Sequence, residues 1–551
     1  MHHAVAPTRN VSGYSSHPYQ VKGFSVSTPP SAPVGRGHHL LSAVGTISFY
    51  TLLSRILGFA RDVVIARGFG SGMDADAFFV AQKLPNFLRR LFAEGAFATA
   101  FVPVFSTYKV QGDAAATREM VMVVFTALAA ILMVVVALGE LAMPLLLMVI
   151  APGFGDDPEK YRLTVDLTRI TFPYILLISL VAMAGGVLNS FRRFAVPAAT
   201  PILLNVFIIL GAVYAAPWFE RPSIGLALGI LIGGVVQLLV QFPAMARLGM
   251  PLGLRWNPRH PAIRRILTLM GPSVLGVSVA QISLILDTFL ASWLPVGSIS
   301  YLYYADRLVE FPLGLIGIAM ATAILPALSA KAARGDEKGL NADLEFALRV
   351  VALINVPASV ALVVLREPIL VMLFQGGAFN AQTTEATSQA LLAYSCGLMA
   401  FTGVKVVAPA FFARHDTRTP VRVAIVCLLI NMVLNVILMF PLKHVGLALA
   451  TTLTSYLNVT LLLFFLHRQT GFRFGRPFLV TLGKTLLASA IMGFGLTWGR
   501  DMFCHPGLST LKLSLILPAI MLGGMVLYLL AVWVLRVAEL KELQRMIKRA
   551  P

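Results

Sequence analysis

From Leu41 onward the chain is a succession of apolar runs of about twenty residues or more, separated by short polar turns. A helix of that length crosses a hydrocarbon core about 30 Å thick. In lipid every backbone N–H and C=O must find its partner inside the protein, which leaves only helices and closed barrels. The alternating ten-residue segments of a barrel strand are absent. The expected fold is therefore an all-α polytopic membrane protein with about fourteen transmembrane helices. Of the 551 residues 57% are hydrophobic and 13% charged, so the apolar runs leave no room for a soluble domain.

The formal charge of +19 would point to nucleic acid in a soluble protein. Here the Lys and Arg residues sit in short loops, about 26 on the side that holds both termini and about 8 on the other, which is an orientation signal. Both termini are expected in the cytoplasm, and no nucleic acid partner is expected. Cys396, Cys427 and Cys504 are too few and too scattered for a disulfide framework. Residues 1–39, rich in Pro, Ser, His and Gly, lack the apolar core of a signal peptide and read as a disordered extension. The C-terminal KELQRMIKRAP reads as a basic flank to the last span.

Two stretches recur at an offset of about 224 residues: MPLLLMVIAPGF (143–154) with EPILVMLFQGGAF (367–379), and FVPVFS (101–106) with ILPALS (324–329). Six spans per repeat is an even number, so both halves face the same way, related by an axis along the membrane normal. The expected organisation is an N-lobe over 40–250, a C-lobe over 251–470, and two further helices with the basic tail over 471–551. Cargo would bind between the lobes.

Residues 53–108 carry Arg55, Arg61, Asp62, Asp76, Lys83, Arg89, Arg90 and Glu94 in or beside two spans. Each such charge costs roughly 3 kcal/mol at the centre of a lipid-facing helix, so a cluster of this size belongs in a cavity facing protein or water. At about 100° per residue, Asp76, Lys83, Arg90 and Glu94 form one stripe. Pro85 leaves open whether Arg89 or Arg90 completes it. In the second half YLYYADRLVEFP supplies Asp306, Arg307 and Glu310 at pairing distance along one helix face, either as a self-neutralised packing cluster or with Arg307 facing the first-half arginines. Lys405 adds to the cavity or snorkels, and Asp287 is either paired or faces water. Guanidinium groups donate two parallel hydrogen bonds to a phosphate and stay charged in a dry site, so the cluster points to an anionic, phosphorylated cargo. The positive excess is small, because Asp62, Asp76, Glu94, Asp306 and Glu310 oppose the cations, and some of these carboxylates could orient arginines or bind a coupling ion. Metalloprotease, P-loop and nucleophile-elbow motifs are absent, and no enzymatic activity, metal or resident cofactor is expected.

At SRILGFARD (54–62), DAFFVAQKLPNFLRRLFAEGAF (76–97), TFPYILLISL (171–180), GPSVLGVSVAQISLILDT (271–288), YYADRLVEFPLG (303–314) and KVVAPAFFARHDTRTPV (405–421), the chain resembles the MurJ (MviN) lipid II flippases of the multidrug/oligosaccharidyl-lipid/polysaccharide exporter superfamily. The resemblance runs from about residue 40 to the C-terminus. It implies two six-helix lobes in a V, with a groove for a lipid tail along the last two helices. It implies flipping of lipid II, the undecaprenyl-pyrophosphate-linked disaccharide-pentapeptide, across the bacterial inner membrane by alternating access. It maps substrate-binding roles onto Arg55, Arg61, Asp76, Arg89 and Arg307, and leaves Asp62, Lys83, Arg90, Glu94, Asp306, Glu310 and Lys405 as further cavity or coupling candidates. Membrane lipids and cell-wall synthesis proteins are the other partners in view, and a coupling ion or the membrane potential the energy source. The alternatives are a flippase for another polyprenyl-pyrophosphate oligosaccharide, a drug/cation antiporter of the same superfamily, whose cavity would be dominated by carboxylates, and a non-transporting membrane scaffold.

Overall fold

The turn sequences QGDAA (111–115) and RGDEK (334–338) end one helix and start the next in the same way. Gly112 and Gly335 take φ of +80° and +69°, where a side chain would be strained. The following Asp113 and Asp336 accept hydrogen bonds from the first free backbone N–H groups, Ala115 and Ala116 at 2.8 and 3.0 Å, and Gly339 at 2.8 Å. Asp157 and Asn380 cap a second matched pair of helices.

In the computed structural model the described residues are 35–90, 97–505, 508 and 510–537. They form sixteen α-helices. The first half holds α1 (Gly35–Phe69), α2 (Met73–Leu88), α3 (Phe97–Val110), α4 (Ala114–Ile150), α5 (Pro158–Thr171), α6 (Tyr174–Ser190), α7 (Ala195–Leu210) and α8 (Ser223–Arg247). The second holds α9 (Pro261–Ala291), α10 (Ser298–Pro312), α11 (Ile318–Ala333), α12 (Glu337–Leu373), α13 (Ala381–Phe412) and α14 (Arg418–Thr470), followed by α15 (Arg476–Phe503) and α16 (Thr510–Val534). Helices α2, α4, α5 and α7 start at Met73, Ala114, Pro158 and Ala195, and their counterparts α10, α12, α13 and α14 at Ser298, Glu337, Ala381 and Arg418, 223 to 225 residues later. The repeat read from a few short matches thus extends through the whole lobe.

Nine of these helical stretches are long and apolar enough to cross a membrane among the described residues. Helix α14 covers two of the expected spans, because the chain turns at Lys443 (φ 50°, ψ −130°) and resumes helix. Elsewhere α10 and α11 are joined by a π-helical turn at Leu313–Gly317, a break inside one membrane-depth stretch, while α2 and α3 are described on either side of residues 91–96, which lie outside the described residues. Such breaks within membrane-depth helices mark functional sites more often than faults. The expected extension at 1–39 falls outside the described residues up to position 34. From Gly35, two residues past Pro33, the chain is already helical, contrary to expectation; no further proline interrupts α1. Glu94 and the basic tail from 538 on also lie outside the described residues. The chain divides into two compact units, Met1–Gly45 and Thr46–Pro551, and everything below concerns the second.

The core is continuous at one end of that unit and split at the other. One cluster joins Phe78, Phe79 and Leu147 of the first half to Tyr304, Leu370 and Phe379 of the second and to Leu517 of α16. Towards the other end, Phe97, Phe101 and Phe105 stack with residues of α4, α6 and α8, while Ile324, Leu328 and Phe411 form a separate cluster with α12 and α14. Apart from α9, whose first turns (Ala262, Ile266) pack into the first-half cluster, the two halves therefore meet at one end and part at the other. Within the first half, α7 and the π turn that follows it touch α8 backbone to backbone: a Cβ on Gly229 would lie 2.6 Å from the Phe207 carbonyl oxygen, and one on Gly225 2.7 Å from that of Gly211. Gly229→Leu is expected to cost about 1–3 kcal/mol by overpacking and to lower the melting temperature in detergent. Gly483→Ala, where nothing lies within 4 Å, should leave it unchanged.

Candidate functional site: a cationic cavity closed at one end

Between the halves lies a cavity of about 1660 Å³. Its charged wall is built mainly by α2 and α10, the pseudosymmetric pair that cross near the closed end. Lys83 of α2 and Arg307 of α10 are 224 residues apart, so the repeat places one cation from each half on the same wall. Arg61, Arg89, Arg90, Lys109 and Lys405 join them, against Asp287, Asp306 and Glu310. Seven cationic and three anionic side chains leave an excess of four positive charges among the described residues, well above the near-balance of the sequence count. Relative to that count, Lys109 and Lys405 join the cations and Arg55 leaves them, while Asp62 and Asp76 are off the wall, Asp287 is on it and Glu94 lies outside the described residues.

Arg61 is held in place by α1, α7 and α10 together. Its Nε and Nη2 donate to Asp62 Oδ1 at 3.0 and 2.7 Å, and its Nη1 to Asn205 Oδ1 at 3.0 Å. Tyr303 Oη donates to the same Asp62 oxygen at 3.1 Å. Asp62, buried, thus orients an arginine and a tyrosine. Arg307 pairs with Glu310 at 2.8 Å and lies over the Tyr303 ring, 4.9 Å from its centroid. Its Nε is buried without a partner. Both readings of the DRLVE segment therefore hold in part, since Arg307 pairs along its own helix and also faces the cavity. Arg89 and Arg90 are both on the wall, where the helix passes into a π turn beyond Leu88, so the choice left open by Pro85 does not arise. Asp287 is both paired and cavity-facing: it accepts from Asn435 Nδ2 at 3.1 Å.

Arg55 is exposed and is not on the wall. Six residues separate it from Arg61, which puts the two about 120° apart around α1. Its guanidinium instead lies beside Gly314, in the π turn between α10 and α11.

Asp76 is also off the wall. It is 1% exposed and accepts four hydrogen bonds at the closed end: from Lys160 Nζ at 3.0 Å, the Gly297 N–H at 2.8 Å, and the Ser300 N–H and Oγ at 3.0 and 2.7 Å. Lys160, buried on α5, lay unmarked in the acidic loop sequence GFGDDPEK. Around this carboxylate the halves are stitched by further contacts. The Ala378 N–H donates to the Arg67 carbonyl at 2.8 Å, Ser71 Oγ shares a hydrogen bond with Thr383 Oγ1 at 2.8 Å, and Tyr304 Oη donates to the Gly70 carbonyl at 2.9 Å. Gly70 takes φ +59° against Ala378, an approach that a Cβ would block. One helical turn further in, Phe79 stacks on Tyr303, its repeat counterpart 224 residues on, with centroids 3.9 Å apart. The repeat offset applied residue by residue to α2 would have found the pairs Asp76/Ser300, Phe79/Tyr303 and Lys83/Arg307. Among the described residues no group of three or more His, Cys, Asp or Glu could hold a metal ion.

Two pseudosymmetric helical halves around a polar cavity, sealed at one end, define a polytopic membrane transporter. The family model for lipid II flippase MurJ matches residues 65–518. A probable lipid II flippase MurJ of Vibrio cholerae is 42% identical over 84% of this chain and 89% of its own, and the lipid II flippase MurJ of Burkholderia cenocepacia 39% identical over 89% and 95%. A solved lipid II flippase MurJ in an inward closed conformation superposes with a TM-score of 0.74 at 29% identity, covering 89% of this chain and 98% of that one. An inward-facing multidrug resistance MATE family transporter of the MOP superfamily shares the fold, with a TM-score of 0.61 at 15% identity over 78% of this chain. The chain belongs to the lipid II flippase MurJ family.

Asp76→Asn removes the charge that Lys160 and the start of α10 are built around. Leaving one partner of a buried ion pair costs about 3–5 kcal/mol, drawn here from the closed end. In a cysteine-free background with Leu302→Cys on the cavity wall, this substitution is expected to raise labelling by a bulky thiol reagent applied from the sealed side. Unchanged labelling would mean the seal does not depend on Asp76.

Proposed function

We propose that this protein flips lipid II from the cytoplasmic to the periplasmic leaflet of the bacterial inner membrane by alternating access, and that it makes and breaks no covalent bond. The observation that carries the reading is the cavity between the halves, strongly cationic and sealed at one end, in a chain of this family. The open end carries the Arg-rich loops, among them Arg192, Arg193, Arg255, Arg259 and Arg414, which by the positive-inside rule face the cytoplasm, as do both termini. Cargo thus enters from the side where it is made. The pyrophosphate is held by Lys83, Arg307, Arg61, Arg89 and Arg90, whose fixed donors act in a site shielded from bulk water. Arg55, outside the cavity beside the α10–α11 break, meets the headgroup on its way in rather than at rest.

The sugars and peptide fill the remaining volume, and the polyprenyl chain stays in lipid. Helices α15 and α16 suit that last role: they pack on α12 through the Tyr528 hydroxyl, which donates to the Leu353 carbonyl at 2.5 Å, and expose Leu515, Leu522, Leu529 and Leu530 outward. No resident cofactor is required. Outward transfer of negative charge against an inside-negative potential is favourable by about 2.3 kcal/mol per charge per 100 mV, so the membrane potential can drive the cycle. Collapsing the potential at fixed sodium and proton gradients should slow flipping. An unchanged rate would transfer the driving role to an ion.

The deciding experiment depletes the protein in its host and measures access of labelled lipid II to the periplasmic face, with variants supplied in trans. Loss of one charged hydrogen-bonding partner is worth about 1.5–3 kcal/mol, so Arg307→Ala should restore less than a tenth of wild-type flipping while Arg334→Ala, exposed at the open end, restores it fully. Unchanged access on depletion, in a host without a second flippase, would move the assignment to another polyprenyl-pyrophosphate oligosaccharide.

A further inference from the structure

The cavity wall formed by α6, α7 and α8 carries no charged side chain; its polar groups are amides and hydroxyls. Two glutamines of the cavity wall, Gln241 on this neutral face and Gln281 on α9, which also carries Asp287, have side-chain oxygens without a partner. Gln241 of α8 is fully buried and donates through Nε2 to the Val181 carbonyl at 3.2 Å, while its Oε1 has no partner. Gln281 of α9 is 8% exposed, and its Oε1 is likewise buried and unpartnered. Their neighbour Gln237 differs: it donates to the Thr200 carbonyl at 2.7 Å, and its oxygen accepts from Tyr174 Oη at 3.4 Å.

A buried acceptor without a donor destabilises the protein that carries it, and an apolar residue of the same volume would fill either site without that cost. A ligand that brings the donor is one reason to keep such an acceptor, and these two glutamine oxygens, unlike those of Asn355 and Asn435, belong to residues of the cavity wall. We infer that Gln241 and Gln281 read the saccharide of the cargo, accepting from its hydroxyl and acetamido N–H groups. The inference rests on the lipid II reading and deepens it.

The division of the wall supports the sugar as the donor. The cations of α2 and α10 take the pyrophosphate, and the first sugar is bonded directly to it, so it must lie within the same cavity. A neutral, donor-rich ring system suits a neutral wall of acceptors, whereas the carboxylates of a peptide suit the cations. Both oxygens are buried at the wall, so a donor on the cargo meets them only when the two glutamine side chains turn towards it. A site of this kind discriminates strongly, because an analogue lacking the donor leaves the acceptor unpaired.

The test uses the full chain in nanodiscs with three ligands: undecaprenyl pyrophosphate, the same lipid bearing the disaccharide without peptide, and lipid II. Wild type should bind the two sugar-bearing lipids more tightly than the bare one. Gln241→Leu with Gln281→Leu should bind undecaprenyl pyrophosphate as wild type does, bind both sugar-bearing lipids at least tenfold more weakly, and melt no lower than wild type when empty. Gln281→Met alone carries the same expectation in case the double variant fails to express. Equal weakening for all three ligands, or a lower melting temperature with the sugar preference intact, would make these packing residues and overturn the inference. Weakening confined to the peptide-bearing lipid would assign the donors to the peptide and overturn it too. Wild type binding none of the three would instead bring down the lipid II reading itself.

Discussion

The carboxylate of Asp76 is the point on which the architecture turns. A charge buried this deeply in a membrane protein is tolerable only if its lone pairs are filled and its charge opposed. All of its partners come from elsewhere: Lys160 from α5, and Gly297 and Ser300 from the start of α10 in the other half. Satisfying one side chain therefore brings three helices and both lobes together at one end. The Phe79–Tyr303 stack and the Arg67–Ala378 backbone contact complete the seal. With the halves joined there, the separate aromatic and aliphatic clusters at the other end stand apart, and the cavity is the space between them.

Inside that space, charge and neutrality are kept on different walls. Pseudosymmetry supplies a cation from each half, Lys83 and Arg307, and the supporting acids Asp62 and Glu310 are used to orient Arg61 and Arg307. The excess positive charge faces a low-dielectric cavity, where its attraction for a diphosphate is worth more than in water. The amide-bearing wall adds shape and hydrogen bonds without charge. Parting the halves at the sealed end would detach Asp76 from α10 and require that carboxylate and Lys160 to be rehydrated.

Much of this was legible in the sequence. Hydropathy alone limited the chain to membrane-spanning helices, because unpaired backbone cannot stay in lipid. The repeat was visible in two short matches, and the Gly-Asp turns at 112–113 and 335–336 extend it through a mechanism that depends only on local backbone geometry. The charged stretch around Arg61 to Arg90 marked the cavity, because the energetic cost of charge in lipid is independent of the final packing.

What the sequence determined was thus what local or solvent-transfer energetics set: an all-helical membrane fold, its repeat, and which stretch must face water or protein. The tertiary structure alone decided which of those polar residues line the cavity. Periodicity gives the direction of a side chain around its own axis, and it rightly grouped Lys83 with Arg90, but it carries no depth and names no neighbour. Asp76 shares that stripe yet lies about 10 Å further along α2, past the end of the cavity. Arg55 lies beside Gly314 while Arg61 is held by Asp62 and Asn205, and Lys160 joins Asp76 across 84 residues of chain. Those assignments belong to contacts between distant segments, which no local pattern encodes.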